Sequence, residues 1–196
     1  PYKQINAFIT ALRKQRGSAP LALEFMILTA GRTGEVTGAK WGEIDFDGKV
    51  WTIPSARMKA NREHRVPLCD RTVEILSSIK TPRNPDDFIF PGWKNATGLS
   101  NGAMLALMKK MKYGQYTAHG FRSTFRDWAA EEAHSFQNET VELALAHIIK
   151  SHAERAYRRG DQLDRRRELM NEWRRYVEVD QSKIKGKVLA LRKSSK

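Results

Sequence analysis

Apolar residues recur along this chain at two spacings, and the change from one to the other predicts a series of helices interrupted once by a small sheet. Ile5, Phe8, Ile9 and Leu12 fall at i, i+3, i+4 and i+7, one buried face of a helix over Tyr2–Lys14 that Gly17 ends. Ser18 and Pro20 open a second helix whose run Leu21–Leu28 is apolar nearly all round, as a central core helix is. It ends at Ala30-Gly31 and delivers Arg32 to a turn, and Gly34 to Lys40 can form one more short helix.

The period then drops to two. Glu43–Phe46 and Lys49–Ile53 flank Asp47-Gly48, a dipeptide favoured in tight hairpin turns. A third strand, His64–Leu68, follows a polar loop holding Arg57, Lys59, Asn61 and Arg62, so a three-stranded antiparallel sheet with a basic loop at its tip is expected. Asp70 reads as the cap of a helix carrying Val73, Ile75, Leu76 and Ile79, and a connector bearing Phe88-Ile89-Phe90 follows. Helical spacing returns over Ser100–Lys112, Ala118–Ala133, Glu139–His147, Ala153–Arg159 and Leu163–Val177. The fold class expected is mainly α with one small three-stranded antiparallel β-sheet (α+β).

Composition narrows the function classes. Of 196 residues 40% are apolar, enough for a packed core, and 35 Lys+Arg against 22 Asp+Glu leave a net charge of +13. Such an excess points to a polyanionic partner. Arg158–Lys196 alone holds 13 Lys+Arg and 6 Asp+Glu, seven of the thirteen net charges. The single cysteine, Cys69, offers neither an internal disulfide nor a zinc cluster and fits a reducing compartment. No apolar run is long enough for a membrane helix, and the charged start does not read as a secretory signal. The missing initiator Met suggests a fragment of a longer protein. Residues 1–179 are expected to form one domain and 180–196 a basic tail, flexible or packed on a neighbouring protomer.

Metal chemistry has little support, since the five histidines show no His-Glu-x-x-His pattern, and no Walker loop or Gly-x-Gly-x-x-Gly is present. The informative feature is a combination. Arg32 sits in a turn at the end of a core helix, with Glu35 three residues on to orient it. His119 and Arg122 stand at i, i+3, able to face one anion together. Lys59 lies in the hairpin loop, His147 closes a helix, and Tyr157 follows ten residues later with Arg158 and Arg159 behind it. Each residue has an ordinary reading alone: a solvated turn, a surface lysine, a histidine at a helix C-terminus. Tyr2, Tyr113, Tyr116 and Tyr176 compete with Tyr157, and Tyr176, spaced with Leu169 and Trp173, reads as packing.

Together these pieces resemble the catalytic domain of the tyrosine recombinases, the phage integrase family. Thr29–Glu35 matches the first arginine box, Arg57-Met58-Lys59 with His64–Leu68 the lysine hairpin, and His119-Gly120-Phe121-Arg122 the second box; Leu145-Ala146-His147 and Ala156–Arg159 complete the set. The ten-residue His147–Tyr157 spacing, Trp51–Pro54 and Arg166–Met170 resemble the prophage and genomic-island branch, whose members carry further N-terminal DNA-binding regions.

The resemblance implies a recombinase fold and strand transfer through Tyr157, with Arg32, Lys59, His119, Arg122 and His147 as the other catalytic residues and Glu35 supporting them. A phosphodiester is an anion, and two arginines can stabilise its transition state with fixed donors where other enzymes use magnesium, so no metal or other cofactor is expected. A free phenol of pKa about 10 is only about one-thousandth ionised near neutrality. It needs a proton acceptor, for which His119 is the family candidate, while Lys59 would protonate the leaving 5′ oxygen and His147 hydrogen-bond a non-bridging oxygen. Arg57, Arg62, Arg65, Lys150, Arg158 and Arg159 are expected on the DNA. The implied partners are double-stranded attachment-site DNA, three further copies in a tetramer on DNA from a free monomer, and host architectural and directionality proteins. No membrane is implied; the implied location is the bacterial cytoplasm. A type IB topoisomerase-like strand transferase and a non-catalytic basic DNA-binding module stay open as alternatives.

Overall fold

The computed structural model describes residues 1–93, 97–100, 102–147 and 160–179. A 3₁₀ turn at Tyr2–Gln4 leads into α1 (Ile5–Leu12), whose Ile5, Phe8, Ile9 and Leu12 are all buried. This helix stops short of Lys14 because no apolar residue beyond Leu12 remains to hold another turn. The axis of the fold is α2 (Ser18–Thr29), buried continuously from Ala22 to Thr29. Its one buried carboxylate, Glu24, is held by Arg13 Nη2 at 2.7 Å and Arg71 Nε at 2.8 Å. Burial alone would raise this carboxyl, but the two guanidiniums outweigh it and keep it below the usual range.

After the short α3 (Thr33–Thr37) come β1 (Ile44–Asp45), β2 (Val50–Ile53) and β3 (His64–Pro67), antiparallel in the order β1-β2-β3. The register pairs Ile44 with Trp51 and Asp45 with Val50. Residues 46–49 therefore form the loop, not the expected Asp47-Gly48 alone. Asp45 Oδ1 accepts the Gly48 N–H at 2.9 Å, and the left-handed conformation falls on Lys49 at φ 49°. Trp51 packs edge-on against Phe25 at 5.3 Å, which fixes the sheet to α2.

Helix α4 (Asp70–Ser78) has Cys69, not Asp70, at its cap position. Asp70 begins the helix and pairs with Lys49 at 2.8 Å, while burial pushes the Cys69 thiol up. The Phe88-Ile89-Phe90 patch docks the connector: Ile89 N–H donates to Ala39 at 2.9 Å and Phe90 packs on Phe25 at 5.5 Å.

Helices α5 (Ala103–Lys110), α6 (Gly120–Glu132), α7 (Asn138–Ala144) and α8 (Leu163–Glu178) follow. Buried Arg166, Leu169, Met170, Trp173 and Val177 give α8 one inward stripe. Trp173 meets Trp128 at 4.9 Å and donates its indole N–H to Ile27 O at 2.8 Å, so α8 closes over α2. Asn6 of α1 caps α8, its amide donating to the carbonyls of Val177 and Glu178. The architecture is the expected one: mainly helical, with a small three-stranded antiparallel sheet. The helix read over Ala153–Arg159 and the tail from 180 lie outside the described residues. Among the described residues no helix is long and apolar enough to cross a membrane.

Candidate active site

Two helix ends of the same construction build the site. At the end of α2, Ala30 turns left-handed at φ 50° while its N–H bonds to Ile27 O and that of Gly31 to Met26 O. Past α7, Ala146 turns at φ 49° while its N–H bonds to Leu143 O and that of His147 to Glu142 O. Both are Schellman closures, and both leave carbonyl oxygens without helical partners. Because α7 ends at Ala144, His147 stands beyond the helix, not as its last residue.

Arg122, on the first turn of α6 and only 6% exposed, spans the two ends. Its Nη1 donates to Ala30 O and its Nη2 to Leu145 O, the latter at 2.6 Å. A cation against two helix C-termini is also favoured by their dipoles. Arg32 occupies the cap position of α3, where buried Glu35 holds it twice: one oxygen accepts the Arg32 backbone N–H at 2.8 Å, the other its Nη1 at 2.6 Å. Arg32 Nη2 then lies 3.4 Å from both Leu145 O and Ala146 O. Burial, and after it the neighbouring Arg32 cation, pushes the Arg122 guanidinium down to about 10. Two cations held this close define a place where an anion is welcome.

Beside them a cavity of about 480 Å³ is lined by Arg32, Met58, Lys59, Ala60, Glu142, Ala146 and His147. Lys59 is exposed and Met58 is buried beneath it. His147 Nε2 lies 3.4 Å from Arg122 Nη2, and its Nδ1 lies 2.6 Å from Glu142 Oε2. Arg32, Lys59, Arg122 and His147, drawn from four separate stretches of chain, thus converge. His119 is exposed at the N-terminal end of α6, one turn before Arg122, which turns inward. Tyr157, Lys150, Arg158 and Arg159 lie outside the described residues.

Residues 1–163 match the phage integrase family. The chain belongs to that family. Among curated relatives it is 38% identical over 160 residues to the prophage integrase IntA of Escherichia coli K12, covering 81% of this chain and 38% of that one. It is 32% identical over 178 residues to the integrase of Shigella phage Sf6, covering 88% of this chain and 46% of the relative. The chain therefore spans less than half the length of either. The integrase from mycobacterium phage Brujita superposes with a TM-score of 0.63 at 23% identity, over 85% of this chain and 55% of that structure, so the fold is shared.

Within this integrase-family fold the other described tyrosines have different surroundings. Tyr113 and Tyr116 line a separate cavity of about 360 Å³ with Phe8 and Phe121. Tyr2 and Tyr176 pack together at 6.0 Å, and burial pushes the Tyr176 hydroxyl up to about 12. The basic residues of the hairpin divide. Arg57, expected on the DNA, has its guanidinium on the Glu43 carboxylate and Glu35 O, bracing the lysine loop against α3. Arg62 is exposed, and Arg65 is 44% exposed in its side chain, 3.6 Å from Asp161.

Sequence reasoning missed three residues here. Glu142 meets His147 only because the left-handed turn at Ala146 folds the chain back. His64, read as a strand residue of the lysine hairpin, is partly buried near Arg166; burial first, then Arg166, pushes its imidazole down to about 4. Arg166, quoted only within a branch signature, is 1% exposed and bonds Asp161 and Arg65 O, tying the start of α8 to β3. Their ordinary spacing in sequence gave no signal for these contacts.

Proposed function

We propose that this chain is the catalytic region of a site-specific DNA recombinase that integrates or excises a prophage or genomic island. The observation that carries the reading is the convergence of Arg32 and Arg122 on the Leu145 carbonyl, beside a cavity that also presents Lys59 and His147. Rigid guanidiniums with donors left over suit a phosphodiester and its more highly charged transition state.

In the proposed reaction the Tyr157 oxygen attacks the scissile phosphorus and loses its proton to His119. The bond to the 5′ oxygen breaks, and that oxygen takes a proton from Lys59. Arg32, Arg122 and His147 stabilise the non-bridging oxygens, and Glu35 holds Arg32. The product is a 3′-phosphotyrosyl ester with a free 5′ hydroxyl, and because the ester keeps the bond energy, a 5′ hydroxyl of a second duplex can reverse the step without ATP. Residues 1–179 would be the catalytic domain. Attachment-site DNA, a tetramer on two duplexes, host architectural and directionality proteins and a bacterial cytoplasmic location complete the proposal.

A suicide duplex carrying the attachment site tests it. A covalent protein–DNA complex that survives SDS is expected for the wild type and not for Tyr157→Phe. An adduct formed equally by Tyr157→Phe removes the nucleophile assignment.

A further inference from the structure

A carboxylate lines the cavity proposed for phosphate, and electrostatics alone would forbid it there. Glu142 shares the cavity with Arg32, Lys59 and His147, and its side chain is 17% exposed. Its two oxygens differ: Oε1, buried and without a hydrogen bond, forms an ion pair 3.0 Å from Arg126 Nε of α6, and Oε2 lies 2.6 Å from His147 Nδ1. The first contact offsets the negative charge. The second fixes the imidazole, because a short contact to a carboxylate places a proton on Nδ1 and turns Nε2 toward Arg122.

We infer that Glu142 is the positioning residue for His147, holding the ring by Nδ1 so that Nε2 faces the anion, with Arg126 holding Glu142 in turn. This rests on the recombinase reading. With Nδ1–H already donated, Nε2 can donate to a phosphate oxygen only when both ring nitrogens carry a proton. Glu142 thus supplies both the ring orientation and a charge partner, although it never touches the DNA. The chain geometry makes this possible, since the turn through left-handed Ala146 brings residue 147 back over residue 142.

Single-turnover cleavage of the suicide duplex, DNA affinity and ring ¹⁵N spectra of His147 test the inference. Glu142→Ala should lower the cleavage rate about 10- to 100-fold, the range for lost orienting partners of a site histidine, with DNA affinity within about twofold. Isosteric Glu142→Gln, which keeps an acceptor for Nδ1–H but not the charge, should recover part of that rate. In a His147→Ala background, Glu142→Ala should change nothing further. The spectra should show Nδ1 protonated in the wild type and that preference lost in Glu142→Ala. A Tyr157-dependent adduct formed as fast by both Glu142 variants, a further loss in the His147→Ala background, or an unchanged ring spectrum overturns this inference alone. A wild type with no Tyr157-dependent adduct overturns the recombinase reading, and the spectra then still decide whether Glu142 orients His147.

Discussion

Arg32 and Arg122 reach the same acceptor: the carbonyl oxygen of Leu145 lies 3.4 Å from Arg32 Nη2 and 2.6 Å from Arg122 Nη2. One peptide group past the end of α7 therefore sets the separation of two cations that come from α3 and α6. The two differ in what else they do. Arg122 is buried and closes two helix ends, whereas Arg32 keeps 27% of its side chain exposed beside the cavity.

Stability should separate these roles. Arg122→Ala leaves the Ala30 carbonyl without its side-chain donor and the Leu145 carbonyl with only Arg32 Nη2 at 3.4 Å, and should cost about 2–4 kcal/mol in urea unfolding. Arg32→Ala should cost less, about 1–2 kcal/mol, because Glu35 loses the guanidinium but still takes the residue-32 backbone N–H, yet should abolish cleavage as completely. Equal unfolding free energies for the two variants contradict the division.

Ala146 carries a left-handed backbone that glycine would adopt freely. Ala146→Gly should stabilise the protein by about 0.5–1 kcal/mol, and Ala146→Val should destabilise it and misplace His147. Thermal unfolding of the three forms checks the order.

His64 predicts a pH dependence. Its folded pKa is lowered, to about 4 from an ordinary 6.5, chiefly by burial and next by Arg166. The unfolded chain therefore binds the extra proton first, so this contribution to stability is intact above pH 6.5, declines as pH falls toward 4 and is gone below it. The slope contributed is at most about 1.4 kcal/mol per pH unit. Urea unfolding between pH 7 and 4 should be flatter by about one proton in His64→Gln, and an identical slope rejects the assignment.

The hairpin arginines make opposite forecasts. Arg57→Ala should lower stability by about 1–3 kcal/mol, because Glu43 is left with only the Trp51 indole N–H and the Glu35 carbonyl loses its side-chain donor, and leave the salt dependence of DNA binding unchanged. Arg62→Ala, from an exposed site, should leave stability alone and reduce the salt slope by about one. A reduced slope for Arg57→Ala shows that Arg57 contacts the DNA as well.

The sequence by itself determined the order of elements and most of the site's membership. Periodicity marked the buried faces of α1 and α8 and the all-round burial of α2, because core packing imposes those spacings on any helix. The motifs also named Arg32, Lys59, Arg122 and His147 in advance, since residue type and order carry that information. Only the tertiary structure decided which donors meet which acceptors. Arg57 and Arg62 are alike in sequence, but Glu43 stands where one guanidinium reaches and not the other. His119 and Arg122 share a helical spacing, yet Arg122 is drawn inward by carbonyls from α2 and α7. Glu142 met His147 through a chain reversal at Ala146, and His64 met Arg166 through the packing of β3 on α8, contacts that depend on tertiary packing and leave no periodic trace in the chain.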